Sequence, residues 1–245
     1  MAYPIGIQSW CFRKFKDNAE VARLVTACGA DRIELCAVHC DFRKPELWPA
    51  AIDAYRKAGV SILGTGVNGL AGQGEEDRPL FEFLSAAGAA FMSVDFPIAA
   101  IPGNLRAADR LAERFGVKLG IHNHGGRHWL GCAQAIDWVF QQTSERVGLW
   151  MDTAWALHAH EDPVEWVKRF GKRLHGVHIK DFTFDTQGGF KDVVAGTGLL
   201  KLKDLLKAMQ DAGYAGSVVI EYEADVDNPA PALTGCVQAV RAAMA

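Results

Sequence analysis

Two imidazoles and two carboxylates, His122, Asp152, His178 and Glu221, each stand at or near the end of a short apolar run. If those runs are strands, each ligand arrives on its own rigid element, and all four can meet at one point without any loop having to order. Oxygen-only donor sets suit magnesium or calcium, whereas two nitrogens shift the preference toward manganese, cobalt, iron or zinc. Taken singly, a strand-end Asp usually caps the next helix and a buried His is usually just hydrogen-bonded. The set of four is what points to one divalent metal ion. Such an ion is a Lewis acid that polarises a carbonyl and acidifies the neighbouring C–H. Glu221 is then the candidate base, because a glutamate can bind through one oxygen and reach substrate with the other.

Other residues cluster around these positions. Lys180 and Asp181 directly follow the third run. The lysine could hold a substrate oxygen or stabilise an enolate and the aspartate could orient it, with a solvated Lys–Asp pair as the plain alternative. His124 and His128 follow His122 and are expected at the mouth, with His124, Glu34 and Lys180 the available proton donors. His158 and His160 are expected at an exposed helix start. Trp10, Trp129 and Trp155 offer flat aromatic faces at the expected mouth that could stack on a ligand, although tryptophan is more often core. Glu34 reads as a substrate contact or as a partner for a ligand. Cys36, His39 and Cys40 lie close together, but no second pair follows at zinc-finger spacing, so buried reduced thiols are expected there.

The elements that must position these groups alternate regularly. Strands are expected at 5–10, 32–35, 60–65, 91–96, 117–122, 147–152, 174–179 and 217–221, and helices at 18–28, 45–58, 78–87, 103–115, 132–142, 163–170, 199–211 and 229–243. Gly29, Gly59, Gly88, Gly116, Gly171 and Gly213 fall where helices should close before strands. Eight βα units in 245 residues with no linker predict a single (β/α)8 TIM-barrel domain over 1–245, with an open doubly wound sheet as the alternative. Active sites of that barrel form where strands end. Six of the eight expected ends carry a charged residue or histidine: Glu34, Asp95, His122, Asp152, His178 and Glu221. The stretch GTGVNGLAGQG at 64–74 contains a GxGxxG spacing, but no helix opens from it, so a mobile loop over the site is expected.

Composition bounds the partners. A 49% hydrophobic, 22% charged chain of net charge −3 is globular and has no basic field for a nucleic-acid backbone. No apolar run reaches the ~18 residues of a membrane span, and the start lacks a signal-peptide pattern, so a soluble cytoplasmic protein acting on a small molecule is expected.

The segments IHNHG at 121–125, GLWMDTAW at 148–155, EDPVEW at 161–166, HGVHIKD at 175–181, GTG at 196–198 and GYAGSVVIEYE at 213–223, with IGIQSW and RIEL near the start, carry a family resemblance. In order and spacing they resemble the xylose isomerase-like sugar phosphate isomerase/epimerase superfamily. That resemblance implies a TIM barrel with one divalent cation, often manganese, held by His122, Asp152, His178 and Glu221. It also implies a sugar substrate and a dimer or tetramer in many relatives. Two positions depart from the family pattern: His122 stands where glutamate is common, and Trp155 where many relatives place a histidine. The substitution at His122 removes an anionic ligand and the opposite-face acid/base of family epimerases. Aldose–ketose isomerisation or β-elimination from a keto sugar does not need that group, so isomerase is read first, with epimerase and lyase or dehydratase close behind. A metal-dependent endonuclease of the same barrel type and a non-catalytic sugar-binding barrel are the competing classes. No phosphate cradle is evident.

Overall fold

The computed structural model describes residues 3–72 and 74–245. Eight parallel strands close into a barrel in the order β1-β10-β7-β6-β5-β4-β3-β2. They are β1 (Ile5–Gln8), β2 (Arg32–Leu35), β3 (Ser61–Gly69), β4 (Phe91–Asp95), β5 (Lys118–His122), β6 (Val147–Asp152), β7 (Leu174–Ile179) and β10 (Val218–Ile220). A separate antiparallel hairpin, β8 (Asp181–Phe184) and β9 (Phe190–Val193), follows β7. The helices are α1 (Asn18–Ala27), α2 (Trp48–Lys57), α3 (Arg78–Ala87), α4 (Gly103–Phe115), α5 (Ala133–Gln142), α6 (Thr153–His158), α7 (Pro163–Phe170), α8 (Leu202–Asp211) and α9 (Ala230–Met244). The fold is the (β/α)8 barrel that the alternating pattern predicts.

Several local expectations change. β1 ends at Gln8, and Ser9–Phe12 forms a 3-10 turn that carries Trp10 outward. Over 64–69 the glycine-rich stretch is strand rather than a mobile loop, because β3 continues through Gly69 and pairs with β4 up to Asp95; position 73 lies outside the described residues. Gly88 and Gly116 close their helices in the left-handed conformation, but Gly171 is right-handed and begins a 3-10 turn. The sequence reading missed both α6 and the hairpin. α6 begins directly after Asp152, whose side chain caps it. The hairpin turns around Gly188, and Phe182 stacks on Phe190 at 4.6 Å, an alternation of aromatic and polar residues visible in FTFDTQGGFKDV.

Inside the barrel, size alternates between neighbouring strands. Trp150 lies two residues before Asp152 on β6 and so on the same strand face. Gly120 on β5 and Gly176 on β7 flank it, and a Cβ there would sit 2.6 and 2.2 Å from its atoms. The indole therefore fills the barrel beneath the strand ends, its ring 5.9 Å from that of His178. It forms a floor under the site.

Candidate functional site

Each expected ligand reaches the mouth from its own element: His122 ends β5, Asp152 ends β6, His178 lies on β7, and Glu221 follows β10. All four are buried, and one donor atom from each lies within 4.8 Å of the others. His122 Nε2 is 3.0 Å from His178 Nδ1, 3.7 Å from Asp152 Oδ2 and 3.9 Å from Glu221 Oε2, while His178 Nδ1 is 2.9 Å from Glu221 Oε2. Donors bound at about 2.1 Å to a common ion with angles of 90–110° would be roughly 3.0–3.4 Å apart, so these separations are close to those of a coordination shell.

The polar groups agree with this reading. Asp152 Oδ1 accepts the Trp155 backbone N–H at 2.8 Å, but its buried Oδ2 has no hydrogen-bond partner among the described residues. His178 Nε2 donates to Glu34 Oε2 at 2.5 Å, which turns Nδ1 toward the cluster. A carboxylate behind a ligating histidine fixes its tautomer and raises its basicity. The charges also fit a cation. Burial disfavours a charged His178, yet Glu34 and Glu221 lift it to about 10. Burial pushes Asp152 up to about 6 against the pull of Lys180. Glu221 resists its own burial, because Lys180 and His178 hold it well below the usual carboxylate range. The pocket draws positive charge, as a proton or as a metal, and its residues fit a divalent ion.

Short polar clamps hold the strand ends in place. Asn123 spans β5 and β6, accepting from the Asp152 N–H at 2.8 Å and donating to its carbonyl at 3.0 Å. Thr153 Oγ1 accepts from the Lys180 N–H at 3.0 Å and lies against the Lys180 and His178 carbonyls. These positions follow the ligands directly in sequence, and the sequence reading gave them no role. Gly66 on β3 leaves room for the Glu34 carboxylate: a Cβ there would lie 1.7 Å from Ser93 Oγ and 2.5 Å from Glu34 Oε1.

A cavity of about 430 Å³ opens above the cluster, with His122, His124 and Glu221 on its wall together with Trp10, Trp155 and Glu223. Trp10 and Trp155 thus stand where a ring-stacking role requires. Glu34 is fully buried, does not line this cavity, and is engaged by His178 and the Ser93 hydroxyl, so it sits beneath the ligands and not against a substrate. Asp181 is also turned away from the cavity. Its carboxylate accepts the backbone N–H groups of Gly196, Gly198 and Leu200 at 2.8–2.9 Å and ties down the loop after β9. Trp129 donates to the Phe96 carbonyl at 2.8 Å and does not line the cavity.

Lys180 is buried between the rings of Trp155 and Phe182 and bonded to Glu223. Burial alone would lower its pKa, but Glu221, Asp152 and Glu223 raise it, so it is a fixed positive charge and not a base. Glu223 went unassigned from sequence, although it stands two residues after Glu221 in IEYE. It accepts from Lys180 and, at 3.0 Å, from Trp10 Nε1. His124 is pushed down to about 3 by burial and by the neighbouring His122 and His128, so its ring is neutral at ordinary pH. His158 packs against Trp155, Phe184 and Phe190 rather than lying exposed, while His160 is exposed as expected. Cys36 and Cys40 are buried free thiols.

With this geometry in place, comparison with known proteins becomes informative. Residues 98–240 match the family model of the xylose isomerase-like TIM barrel. An inosose dehydratase of Clostridium beijerinckii is 26% identical over 196 residues, 72% of this chain and 63% of that protein. The rhizopine catabolism protein MocC of Rhizobium meliloti is 30% identical over 138 residues, 51% of this chain and 42% of that protein. The matches thus span less than two thirds of these relatives' lengths. Among solved structures, the 3-keto-D-glucoside 4-epimerase of E. coli superposes with a TM-score of 0.78 at 16% identity, covering 98% of this chain and 99% of that one. At that identity the likeness shows the fold. The family match covers more than half of the chain, and on that basis the chain belongs to the xylose isomerase-like TIM-barrel family.

Proposed function

We propose that this barrel is a divalent-metal-dependent enzyme that takes a proton from the carbon beside the carbonyl of a keto sugar or related polyol, giving isomerisation or epimerisation. One observation carries the reading: Glu221 belongs to the buried four-ligand cluster and also lines the cavity above it. His122, Asp152, His178 and Glu221 would hold the ion; manganese is the first choice, and zinc, cobalt or iron also suit two nitrogens and two oxygens. When bound, the ion would polarise the carbonyl and acidify the neighbouring C–H.

The chain's own groups supply the rest. The Glu221 carboxylate is held ionised by Lys180 and His178, and so is ready to accept a proton. The Lys180 ammonium supplies a fixed positive charge in the same site. Trp10 and Trp155 offer aromatic faces to the C–H faces of a ring, and Glu223 offers carboxylate oxygens to hydroxyl groups. Glu34 keeps the His178 ring in the orientation the cluster needs.

Loss of water from the same carbanion is a second reading, favoured by the similarity to inosose dehydratases over 72% of the chain. Both begin with the same abstraction. Manganese-loaded protein incubated with ketoses in deuterated water should incorporate deuterium beside the carbonyl, and Glu221→Gln should lose this by about a hundredfold to ten-thousandfold. Near wild-type exchange in the variant would remove Glu221 as the base. Formation of a rearranged sugar or of a dehydrated product separates the two readings.

A further inference from the structure

Abstraction leaves a second proton to deliver, to the opposite face of a carbon in epimerisation or to a departing hydroxyl in dehydration. The described groups around the cavity are mostly committed. His122 belongs to the ligand cluster, Lys180 is bonded to Glu223, and Glu223 also accepts from Trp10. Cys36, which follows β2, lines the same cavity. In the closed ring β2 lies four places from β6, and the cavity that Cys36 lines also has His122 and Glu221 on its wall.

The thiol has a built connection behind it. Ser9 Oγ lies 3.1 Å from Cys36 Sγ and 3.1 Å from His39 Nδ1, and it accepts the Cys36 backbone N–H at 2.8 Å. Among the described residues, the Nε2 of His39 meets carbonyl oxygens alone, those of Phe15 at 3.0 Å and Phe12 at 3.3 Å. Carbonyls cannot donate, so Nε2 carries the proton and Nδ1 is an acceptor. The Ser9 O–H donates to Cys36 Sγ while the sulfur lies 3.8 Å from His39 Nδ1; a rotation of the hydroxyl toward His39 Nδ1 lets the S–H donate to Ser9 Oγ instead. Ser9 is fully buried, and Cys36 and His39 are each only 7% exposed, so water competes little with this chain.

We propose that Cys36 is the general acid of this site, with its thiol held by Ser9 and linked through that hydroxyl to His39. The inference rests on the proposed proton abstraction by Glu221. Glu221 takes H⁺ from carbon, and the Cys36 S–H bond breaks to give H⁺ either to the opposite face of that carbon or to the leaving hydroxyl, which departs as water. The thiolate is stabilised by the Ser9 O–H donated to sulfur. Proton transfer from the Glu221 carboxylic acid to the thiolate through solvent after product release restores both groups, and no oxidant or reductant is consumed. The resting states agree: burial, with Glu34 and Glu221 nearby, raises the thiol, and burial lowers His39 despite its carbonyl partners.

The test uses manganese-loaded protein in a Cys132→Ser background, which removes the exposed thiol. Iodoacetamide should alkylate Cys36 about tenfold or more faster than fully buried Cys11, and Ser9→Ala or His39→Gln should shift the pH–rate profile of Cys36 alone. Modification no faster than at Cys11, or an unmoved profile, overturns the link to His39. With D-fructose, D-psicose and a ketoinositol as probes in deuterated water, Cys36→Ala should cut product formation about a hundredfold or more while deuterium exchange stays within about threefold, and Cys36→Ser should restore part of the loss. Equal loss of exchange and product, or unchanged product formation, overturns the acid role. Absence of exchange in the wild type with every probe overturns the proposed abstraction and the acid role with it, while alkylation still decides whether the thiol is linked to His39.

Discussion

Glu34→Gln probes how the site is held rather than what it holds. The side chain keeps its shape and loses the charge that orients His178 from 2.5 Å. Removal of such a carboxylate behind a ligating histidine costs about ten- to hundredfold in metal affinity, or roughly 1.4–2.7 kcal/mol. The metal-free protein should weaken as well. Lifting His178 from 6.5 to about 10 corresponds to on the order of 5 kcal/mol of preference for the charged ring, shared between Glu34 and Glu221. Losing one partner should therefore cost on the order of 2 kcal/mol at neutral pH. The sign follows from the folded pKa lying above the unfolded one: the stabilisation is fully present below about 6.5 and is lost as pH rises through about 10. The stability gap between wild type and Glu34→Gln in urea unfolding of metal-free protein should thus be largest at about pH 6.5, shrink through neutrality and close toward pH 10. Calorimetric titration with manganese supplies the affinity. Binding within about twofold of wild type, together with a constant stability gap across pH, would refute the role assigned to Glu34.

The remaining expectations address separate parts of the structure. His122→Glu should keep the ion, shift selectivity toward magnesium or manganese, and weaken it as an electrophile through the added charge; unchanged selectivity by calorimetry would remove His122 from the site. Gly66→Ala should displace the Ser93 and Glu34 side chains, cost about 1–3 kcal/mol in denaturant unfolding and lower manganese affinity, whereas a neutral result would show that β3 can shift. Buried His175 donates to the Leu119 carbonyl and is held down to about 4 by burial. Its neutral form stabilises the fold above about 6.5, so wild type should lose about 3 kcal/mol more than His175→Gln as pH falls from 7 to 4, measured by unfolding of metal-free protein.

The barrel and the convergence of His122, Asp152, His178 and Glu221 were legible because both depend on repetition. Eight apolar runs alternating with amphipathic segments specify the closed sheet, and ligands at strand ends inherit their convergence from it. What escaped the sequence depends on contacts between distant segments. Glu34 carries the same charge whether it faces a substrate or a histidine, and only its contacts across the barrel interior with His178 and Ser93 decide. Asp181 follows Lys180 yet points to the loop at 196–200, because adjacent residues on an extended chain face opposite ways. The hairpin was overlooked since a βα repeat leads one to expect a helix after β7, although the alternating phenylalanines were present. Glu223 was hidden behind its neighbour: the glutamate at the strand end attracted attention, and the second one gains its role only from Lys180 and Trp10.

His122, Asp152, His178 and Glu221 are expected to form one metal centre that exchanges protons for a cation. Calorimetric titration of metal-free protein with manganese near pH 8, repeated in buffers of different ionisation heat, measures both the ion and the protons it displaces. One ion per chain is expected and, because His178 is protonated up to about 10, release of about one proton for each ion bound. Saturation at one ion with no proton release, or no binding at all, would contradict it.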